Sequence, residues 1–182
     1  MHRAGVLALL DAHARLSLEP HEAAMVRRTR AFVEAHADCL QRTCVPGHLT
    51  GSAWVVDPAR QRVLLTHHRK LGKWLQLGGH ADGEPDLLAV ALQEAREESG
   101  LRHVRVVSPA LFDIDCHLIP ARLNEPEHVH YDLRFLFEAD PAEPLQVSAE
   151  SKALAWVELA SLAELNPEES MLRMVRKTLA QR

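Results

Sequence analysis

The sequence predicts an α/β fold in which a mixed sheet lies between layers of helices and follows an N-terminal helical extension. Helical spacing of apolar residues covers the first 45 residues, strand-like patterns begin near His48, and a clear helical stretch ends at Gly100 between two groups of strands. A further helical stretch, residues 159–180, closes the chain. Strands on both sides of a central helix are typical of a layered α/β domain.

The first 45 residues form the predicted helical extension. Pro20 after Glu19 indicates that a second helix begins there, because proline is favoured in the first turn of a helix. Pro46-Gly47 then ends the helical pattern. We therefore expect an extension at residues 1–45 and a second domain at residues 46–182. Two roles are open for the extension: it forms a homodimer interface, or it covers the sheet.

The strand-like part of the chain begins with a predicted hairpin. Residues 49–56 and 63–66 flank Asp57-Pro58-Ala59-Arg60, which is a favourable turn sequence. The central helix is expected to begin near Asp86 and to end at Gly100, since glycine is preferred just after a helix. The other predicted strands lie at residues 74–77, 130–138 and 154–157, and residues 104–115 are expected to form one or two strands.

Composition narrows the classes of function. The formal net charge of the 182-residue chain is −4, which argues against a nucleic-acid or membrane partner. Three cysteines without CxxC spacing argue against a disulfide framework and favour a reducing cytoplasm. No apolar run approaches the roughly 20 residues that a membrane span needs. We therefore expect a cytoplasmic protein.

Three carboxylates are the main candidates for chemistry. Glu94, Glu97 and Glu98 have i, i+3 and i+4 spacing, which places them on one face near the C-terminal end of the central helix. Like charges at this spacing repel, and the C-terminal end of a helix disfavours anions. Clustered carboxylates are, however, what a hard cation such as Mg²⁺ requires. A solvated, glutamate-rich helix end is the alternative interpretation.

The loop and helix together carry a resemblance to a known family. The segment GGHADGEPDLLAVALQEAREESGL resembles the signature of the Nudix hydrolases, G-x5-E-x7-R-E-U-x-E-E-x-G-U, where U is aliphatic. Matching positions are Gly79, Glu94, Ala95, Glu97, Glu98, Gly100 and Leu101. Two positions depart from it: Pro85 stands where the first glutamate is expected, with Glu84 one residue early, and Gln93 replaces an arginine. The resemblance implies that both positions brace the loop against the helix.

The resemblance also implies a fold, a reaction and a metal site. The fold would be a Nudix-type α/β/α sandwich. Glu94, Glu97 and Glu98, with the Gly79 carbonyl, would bind Mg²⁺ or Mn²⁺. The reaction would be metal-dependent cleavage of the pyrophosphate bond in a nucleoside diphosphate linked to another moiety, by attack of water on phosphorus. Glu150, in the loop before the last strand, is a candidate general base.

Other polar residues are predicted to bind the substrate. The predicted substrate-binding residues are Arg69, Lys70, Gly79, His80, His128, His130, Asp132 and Arg134. The last four share one face of a strand whose other face is apolar, which suits phosphate or a second metal. An ordinary solvent-exposed strand face is the alternative. Cys39 and Cys44, with His36 and His48, are weaker candidates for zinc ligation.

A second functional class stays open beside the enzyme. The departures at Pro85 and Gln93 favour a catalytically weak or inactive Nudix-fold module that binds a nucleotide derivative. The three retained carboxylates favour a pyrophosphohydrolase, since a binding module does not need clustered anions. The sequence does not distinguish among nucleoside diphosphate derivatives as substrates.

Overall fold

The structure is a computed structural model and describes residues 2–121 and 126–181. The helices are α1 (Ala4–His13), α2 (Pro20–Ala35), α3 (Leu87–Ser99), α4 (Leu162–Leu165) and α5 (Glu169–Leu179), with a short 3-10 helix at Leu159–Ser161. The strands are β1 (Gly47–Val56), β2 (Arg62–His68), β3 (Trp74–Leu75), β4 (Leu77–His80), β5 (Arg105–Val106), β6 (Asp113–Ile119), β7 (His128–Glu138) and β8 (Ser151–Glu158).

These strands form one mixed sheet with flanking helices. Neighbouring strands follow the order β3-β2-β1-β7-β5, while β4 pairs with β1, β6 with β7 and β8 with β2. Two helices precede the sheet in the sequence. The predicted α/β class and its N-terminal helices are therefore confirmed.

The predicted elements are present, with one difference in the strands. The β1–β2 hairpin pairs Val55 with Leu64, and Asp57 Oδ1 closes its turn by accepting 2.7 Å hydrogen bonds from the Gln61 and Arg62 amides. The strand expected at residues 74–77 is interrupted, so that β3 and β4 pair with different neighbours. The stretch at residues 104–115, expected to form one or two strands, contains β5 and the start of β6.

The chain divides into two compact units, each described by itself. The first unit contains Met1–Gly51, Gly79–Val90 and Pro109–Phe135. Within it, α2 lies against β6 and β7: Phe32 stacks on Tyr131 with ring centroids 4.0 Å apart, and Thr29 Oγ1 lies 3.5 Å from Cys116 Sγ. Val33 is also fully buried. The N-terminal helices therefore cover part of the sheet in this unit, and a homodimer interface formed by them stays a prediction.

The second unit contains Ser52–Gly78, Ala91–Ser108 and Leu136–Arg182. Its α5 is joined to β1, because the buried Trp54 donates a 2.9 Å hydrogen bond from Nε1 to Thr178 Oγ1. The β2–β8 pairing runs from Arg62 opposite Glu158 to His68 opposite Ser151, with a register shift between His67 and His68. Among the described residues, no helix combines the length and apolarity needed to cross a membrane.

Candidate functional site

Glu98 is the buried member of the predicted carboxylate cluster. It lies one residue before the end of α3 and is only 6% exposed. Its Oε2 accepts a 3.0 Å hydrogen bond from the Gly78 amide. The helix ends at Ser99 and is followed by Gly100, whose φ of +73° is a conformation that favours glycine. The helix end therefore carries a carboxylate that is hydrogen-bonded to the backbone of β4.

The environment of Glu98 favours its protonated form when no cation is bound. Burial raises the pKa of this carboxyl group to about 7, the Gly78 amide opposes that rise, and the charges of Glu94 and Glu150 add to it. The negative charges of Glu94 and Glu150 therefore each repel that of Glu98. Such a group of anions suits a divalent cation, which would replace this repulsion with attraction. The metal site at Glu94, Glu97 and Glu98 stays a prediction, since the described groups of three side chains with ligand atoms within 4.8 Å of one another do not include these carboxylates.

Glu94 and Glu97 are more accessible than Glu98. Glu94 is half-buried, and Glu97 is exposed. Glu97 Oε1 accepts a 2.8 Å hydrogen bond from Gln93 Nε2, one helical turn earlier. Gln93 is the residue that replaces the arginine of the Nudix signature, and its amide makes a contact that positions a predicted metal ligand. The departure from the signature thus retains a hydrogen bond to the cluster.

The segment that contains Glu150 is anchored by Arg69. The Arg69 guanidinium donates to the Ala149 and Ser151 carbonyls at 3.0 and 2.8 Å. The backbone amide of Arg69 donates to the Glu150 carbonyl at 2.9 Å. Arg69, predicted to bind phosphate, therefore acts on the protein backbone in this structure. Lys70 is exposed beside it, and its backbone amide donates to His68 Nδ1.

The loop before α3 contains Pro85, the other departure from the Nudix signature. Pro85 is exposed, and the Glu84 carboxylate accepts a 2.9 Å hydrogen bond from the Asp86 amide. Asp86 Oδ1 in turn accepts from the Ala89 amide at 3.1 Å, which caps the first turn of α3. Glu84 therefore stabilises the start of the helix locally. The predicted ligand Gly79 lies half-buried in β4.

A polar face of β6 and β7 is buried, which excludes the alternative of a solvent-exposed face. His128, Asp132 and Arg134 are 4%, 3% and 1% exposed. Arg134 donates from Nε to Asp132 Oδ2 at 2.8 Å and from one terminal nitrogen to Asp113 Oδ2 at 3.2 Å, and its other terminal nitrogen lies 2.7 Å from His117 Nε2. Burial opposes its charge, but Asp132, Asp113 and Asp115 together raise the pKa of Arg134.

Arg134 stabilises the β6–β7 pair in this structure, because its guanidinium is enclosed by carboxylates of both strands. Thr50 Oγ1 donates a 2.9 Å hydrogen bond to Asp132 Oδ1, which extends this network to β1. The substrate roles of His80, His128, His130, Asp132 and Arg134 stay predictions.

Four histidines gather in the first unit. The ring of His48 lies 4.8 to 4.9 Å from the rings of His80, His128 and His130. Burial and the neighbouring imidazoles lower the pKa of His48 to about 4 and that of His130 to about 3. Both imidazoles are therefore neutral at physiological pH, and each has a lone pair on one ring nitrogen.

Sequence reasoning missed several members of the buried polar face. The register places Asp113, Asp115 and His117 of β6 opposite Arg134, Asp132 and His130 of β7. The signal was the alternation in Asp-Ile-Asp-Cys-His, which mirrors that of β7. The proposed Cys/His zinc set is also divided: His36 lies with Asp38 and Cys44, whereas His48 lies with His128 and His130.

Comparison with models of known protein families shows to which family this chain belongs. A sequence model of the NUDIX domain matches residues 48–177, which is more than half of the chain. The chain belongs to the Nudix family. Residues 1–45 of this Nudix protein lie outside the matched range.

Solved structures show the same fold at low sequence identity. A Caenorhabditis elegans Ap4A hydrolase binary complex has a TM-score of 0.59 at 17% identity, over 73% of this chain and 96% of the other. The Escherichia coli dihydroneopterin triphosphate pyrophosphohydrolase has a TM-score of 0.59 at 13% identity, over 74% and 96%. The NUDIX domain of Shewanella oneidensis NrtR, complexed with ADP ribose, has a TM-score of 0.50 at 17% identity, over 83% and 97%. No curated protein sequence matches this Nudix protein significantly.

Proposed function

We propose that this Nudix protein is a metal-dependent hydrolase that cleaves the pyrophosphate bond of a nucleoside diphosphate linked to another moiety. The observation that supports the proposal most directly is the buried Glu98, bonded to the Gly78 amide and repelled by Glu94 and Glu150. A protein with no cation to bind gains nothing from such mutual repulsion. A divalent cation held there would supply positive charge against the diphosphate oxygens.

The chain's own residues have separate tasks in this proposal. Glu94, Glu97 and Glu98 hold Mg²⁺ or Mn²⁺, with Gln93 orienting Glu97 and the Gly78 amide orienting Glu98. Glu150 accepts the proton of the attacking water, and it is exposed to solvent. Arg69 fixes the backbone that carries Glu150 and so positions this base. The reaction then yields a nucleoside monophosphate and a second phosphorylated product.

A substrate panel tests the proposal. The full chain is incubated with ADP-ribose, nucleotide sugars and Ap4A in Mg²⁺ or Mn²⁺, and products are separated by chromatography. We expect metal-dependent nucleoside monophosphate from at least one compound, and ¹⁸O from labelled water in one phosphate product. Glu97→Gln should abolish this turnover, whereas the exposed Glu164→Gln, outside the cluster, should not change it. If none of these compounds is turned over with either metal, the proposal that this protein is an enzyme is refuted.

Glu150 has its own test within the same reaction. We expect Glu150→Gln to lower kcat by about 10²–10⁴-fold, the usual contribution of a general base, without weakening metal affinity. The control is Mn²⁺ affinity of the same variant, measured by electron paramagnetic resonance. Equal losses of Mn²⁺ affinity and kcat would identify Glu150 as a metal ligand rather than a base.

A nucleotide-derivative binding module is the second candidate function. It is favoured by Pro85 and Gln93, the two departures from the signature, and by the ADP ribose bound to the similar NrtR domain. Calorimetric binding of ADP-ribose with no product after prolonged incubation in Mg²⁺ and Mn²⁺ would support this function. Turnover of the bound compound would exclude it.

A further inference from the structure

We propose that His48, His128 and His130 form a binding site for a divalent transition-metal ion, with Zn²⁺ as the best-fitting ion. One ligand atom of each histidine lies within 4.8 Å of those of the other two. The site goes beyond the proposed hydrolase function, because its donors are imidazole nitrogens. Mg²⁺ prefers oxygen ligands, whereas imidazole suits zinc and its neighbours in the transition series.

The distances suit a small, low-coordinate ion. His128 Nε2 and His130 Nε2 lie 3.1 Å apart. In a tetrahedral zinc site with Zn–N distances of about 2.0–2.1 Å, neighbouring ligand nitrogens are about 3.3 Å apart. The ring of His48 lies 4.9 Å from that of His128 and 4.8 Å from that of His130. Small side-chain adjustments would therefore bring the three nitrogens onto one ion.

His48 is the strongest sign that a ligand belongs here. It is only 2% exposed, and neither ring nitrogen has a hydrogen-bond partner of normal geometry among the described residues. The Cys44 carbonyl lies near enough to interact weakly with the ring but does not satisfy either nitrogen. Leaving a buried polar group unpaired is unfavourable. A metal ion bound to one ring nitrogen would satisfy it.

His128 is already held in the tautomer that a metal needs. Its Nδ1 lies 2.8 Å from the Pro126 carbonyl, and because a carbonyl can only accept, Nδ1 carries the proton. The lone pair is therefore on Nε2, the nitrogen that faces His130. Donation of the second ring nitrogen to a backbone carbonyl is typical of metal-binding histidines.

His80 borders this three-histidine site. Its ring lies 4.9 Å from that of His48 and 5.0 Å from that of His130. It is not within ligand range of all three nitrogens, so we do not assign it to the ion. Three protein ligands leave a fourth position of a tetrahedral ion for water or another ligand.

A Co²⁺ titration of the full chain in excess Mg²⁺ tests the site. Mg²⁺ occupies the carboxylate cluster of α3 and competes poorly for imidazole, and low-coordinate Co²⁺ absorbs visible light much more strongly than six-coordinate Co²⁺. We expect one Co²⁺ per chain with strong visible bands, displaced by one equivalent of Zn²⁺. The proposal would be overturned if Co²⁺ does not bind tightly under these conditions, or if it shows only the weak spectrum of six-coordinate Co²⁺.

Variants assign the ligands. His48→Gln and His130→Gln should each weaken Co²⁺ affinity by at least ~100-fold. His21→Gln, at an exposed position of α2, is the matched control and should bind as the wild type does. Unchanged affinity in the two site variants would overturn the assignment. If the glutamine variants fail to fold, His130→Cys supplies the deciding measurement. If residue 130 is a ligand, this variant retains Co²⁺ and gains thiolate-to-Co²⁺ absorption in the near ultraviolet. Co²⁺ binding without that absorption would exclude His130 as a ligand.

Discussion

At the scale of single residues, burial and charge give Glu98 a property that its sequence neighbours lack. Glu97 is exposed and bonded to Gln93, whereas Glu98 is enclosed and its pKa is raised to about 7. The difference arises because adjacent helical positions point in directions about 100° apart. One carboxylate therefore faces solvent, while the next faces the Gly78 amide.

The raised pKa of Glu98 predicts the pH dependence of stability in the metal-free protein. Because the folded-state pKa lies above the unfolded value of 4.5, its stabilisation is complete below about pH 4.5 and is lost as pH rises through about 7. Glu98→Gln should therefore be more stable than the wild type at pH 8, by up to about 3 kcal/mol, but not at pH 4.5. Denaturant unfolding with a chelator at both pH values measures this difference. An equal difference at the two values would contradict it.

The Gln93–Glu97 hydrogen bond predicts how the departure from the signature affects catalysis. Because the glutamine amide already contacts Glu97, Gln93→Arg should change kcat/KM by less than about threefold. Gln93→Ala should lower it by about fivefold, which corresponds to roughly 1 kcal/mol for one lost hydrogen bond. Steady-state kinetics on the best substrate of the panel measures both. A rise above tenfold in Gln93→Arg would show that the missing arginine limits the enzyme.

At the scale of elements, the end of α3 is fixed by its contact with a later loop. The Gln146 amide donates a 2.7 Å hydrogen bond to the Ser99 carbonyl, and the side chain of Gln146 lies directly beside Gly100. This contact satisfies one of the free carbonyls at the helix end. It also holds the turn of α3 that carries the two C-terminal glutamates of the cluster.

Gly100→Ala should destabilise the protein and disturb this turn. A Cβ at Gly100 would lie 2.7 Å from Gln146 Cβ, and its φ of +73° is unfavourable for alanine. We expect a loss of about 2 kcal/mol. Gly5→Ala is the control, since a Cβ there meets nothing within 4 Å, and alanine in α1 should stabilise by about 0.5–1 kcal/mol. Denaturant unfolding compares them; equal stability of Gly100→Ala and wild type would contradict the role of the glycine.

At the scale of the whole molecule, the N-terminal helices complete the apolar core of the first unit. Phe32 is 5% exposed and Val33 is fully buried, and Phe32 covers Tyr131 of β7. The two helices are also joined by the buried His13–Glu22 contact of 2.7 Å. The extension is therefore part of the folded first unit, although it lies outside the matched family domain.

Removal of residues 1–45 should prevent the remainder from folding normally. The deletion would expose the face of β6 and β7 that α2 covers, so we expect aggregation or a non-cooperative thermal transition. Phe32→Ala is a milder variant and should remain folded with a loss of about 3–5 kcal/mol. Circular dichroism and analytical ultracentrifugation measure the outcomes. A soluble truncated chain with a cooperative transition near that of the full chain would contradict this expectation.

Much of the fold could be predicted from local sequence patterns. The proline at the start of α2, the turn between β1 and β2 and the glycine after α3 are local signals, and the structure confirms each element. The interrupted strand after Trp74 could not be predicted in the same way. Its two parts, β3 and β4, pair with different strands, β2 and β1. Such pairing joins residues that are distant in the sequence.

The sequence by itself determined the family and the spacing of Glu94, Glu97 and Glu98, because both depend on residues within one helix and its loop. Only the tertiary structure decided that Glu98 is buried, that Arg134 is enclosed by carboxylates, and that His48 meets His128 and His130. Burial and hydrogen bonding depend on which distant segments pack together. A pattern of alternation shows that residues share a strand face, but the element that covers that face determines what they can bind.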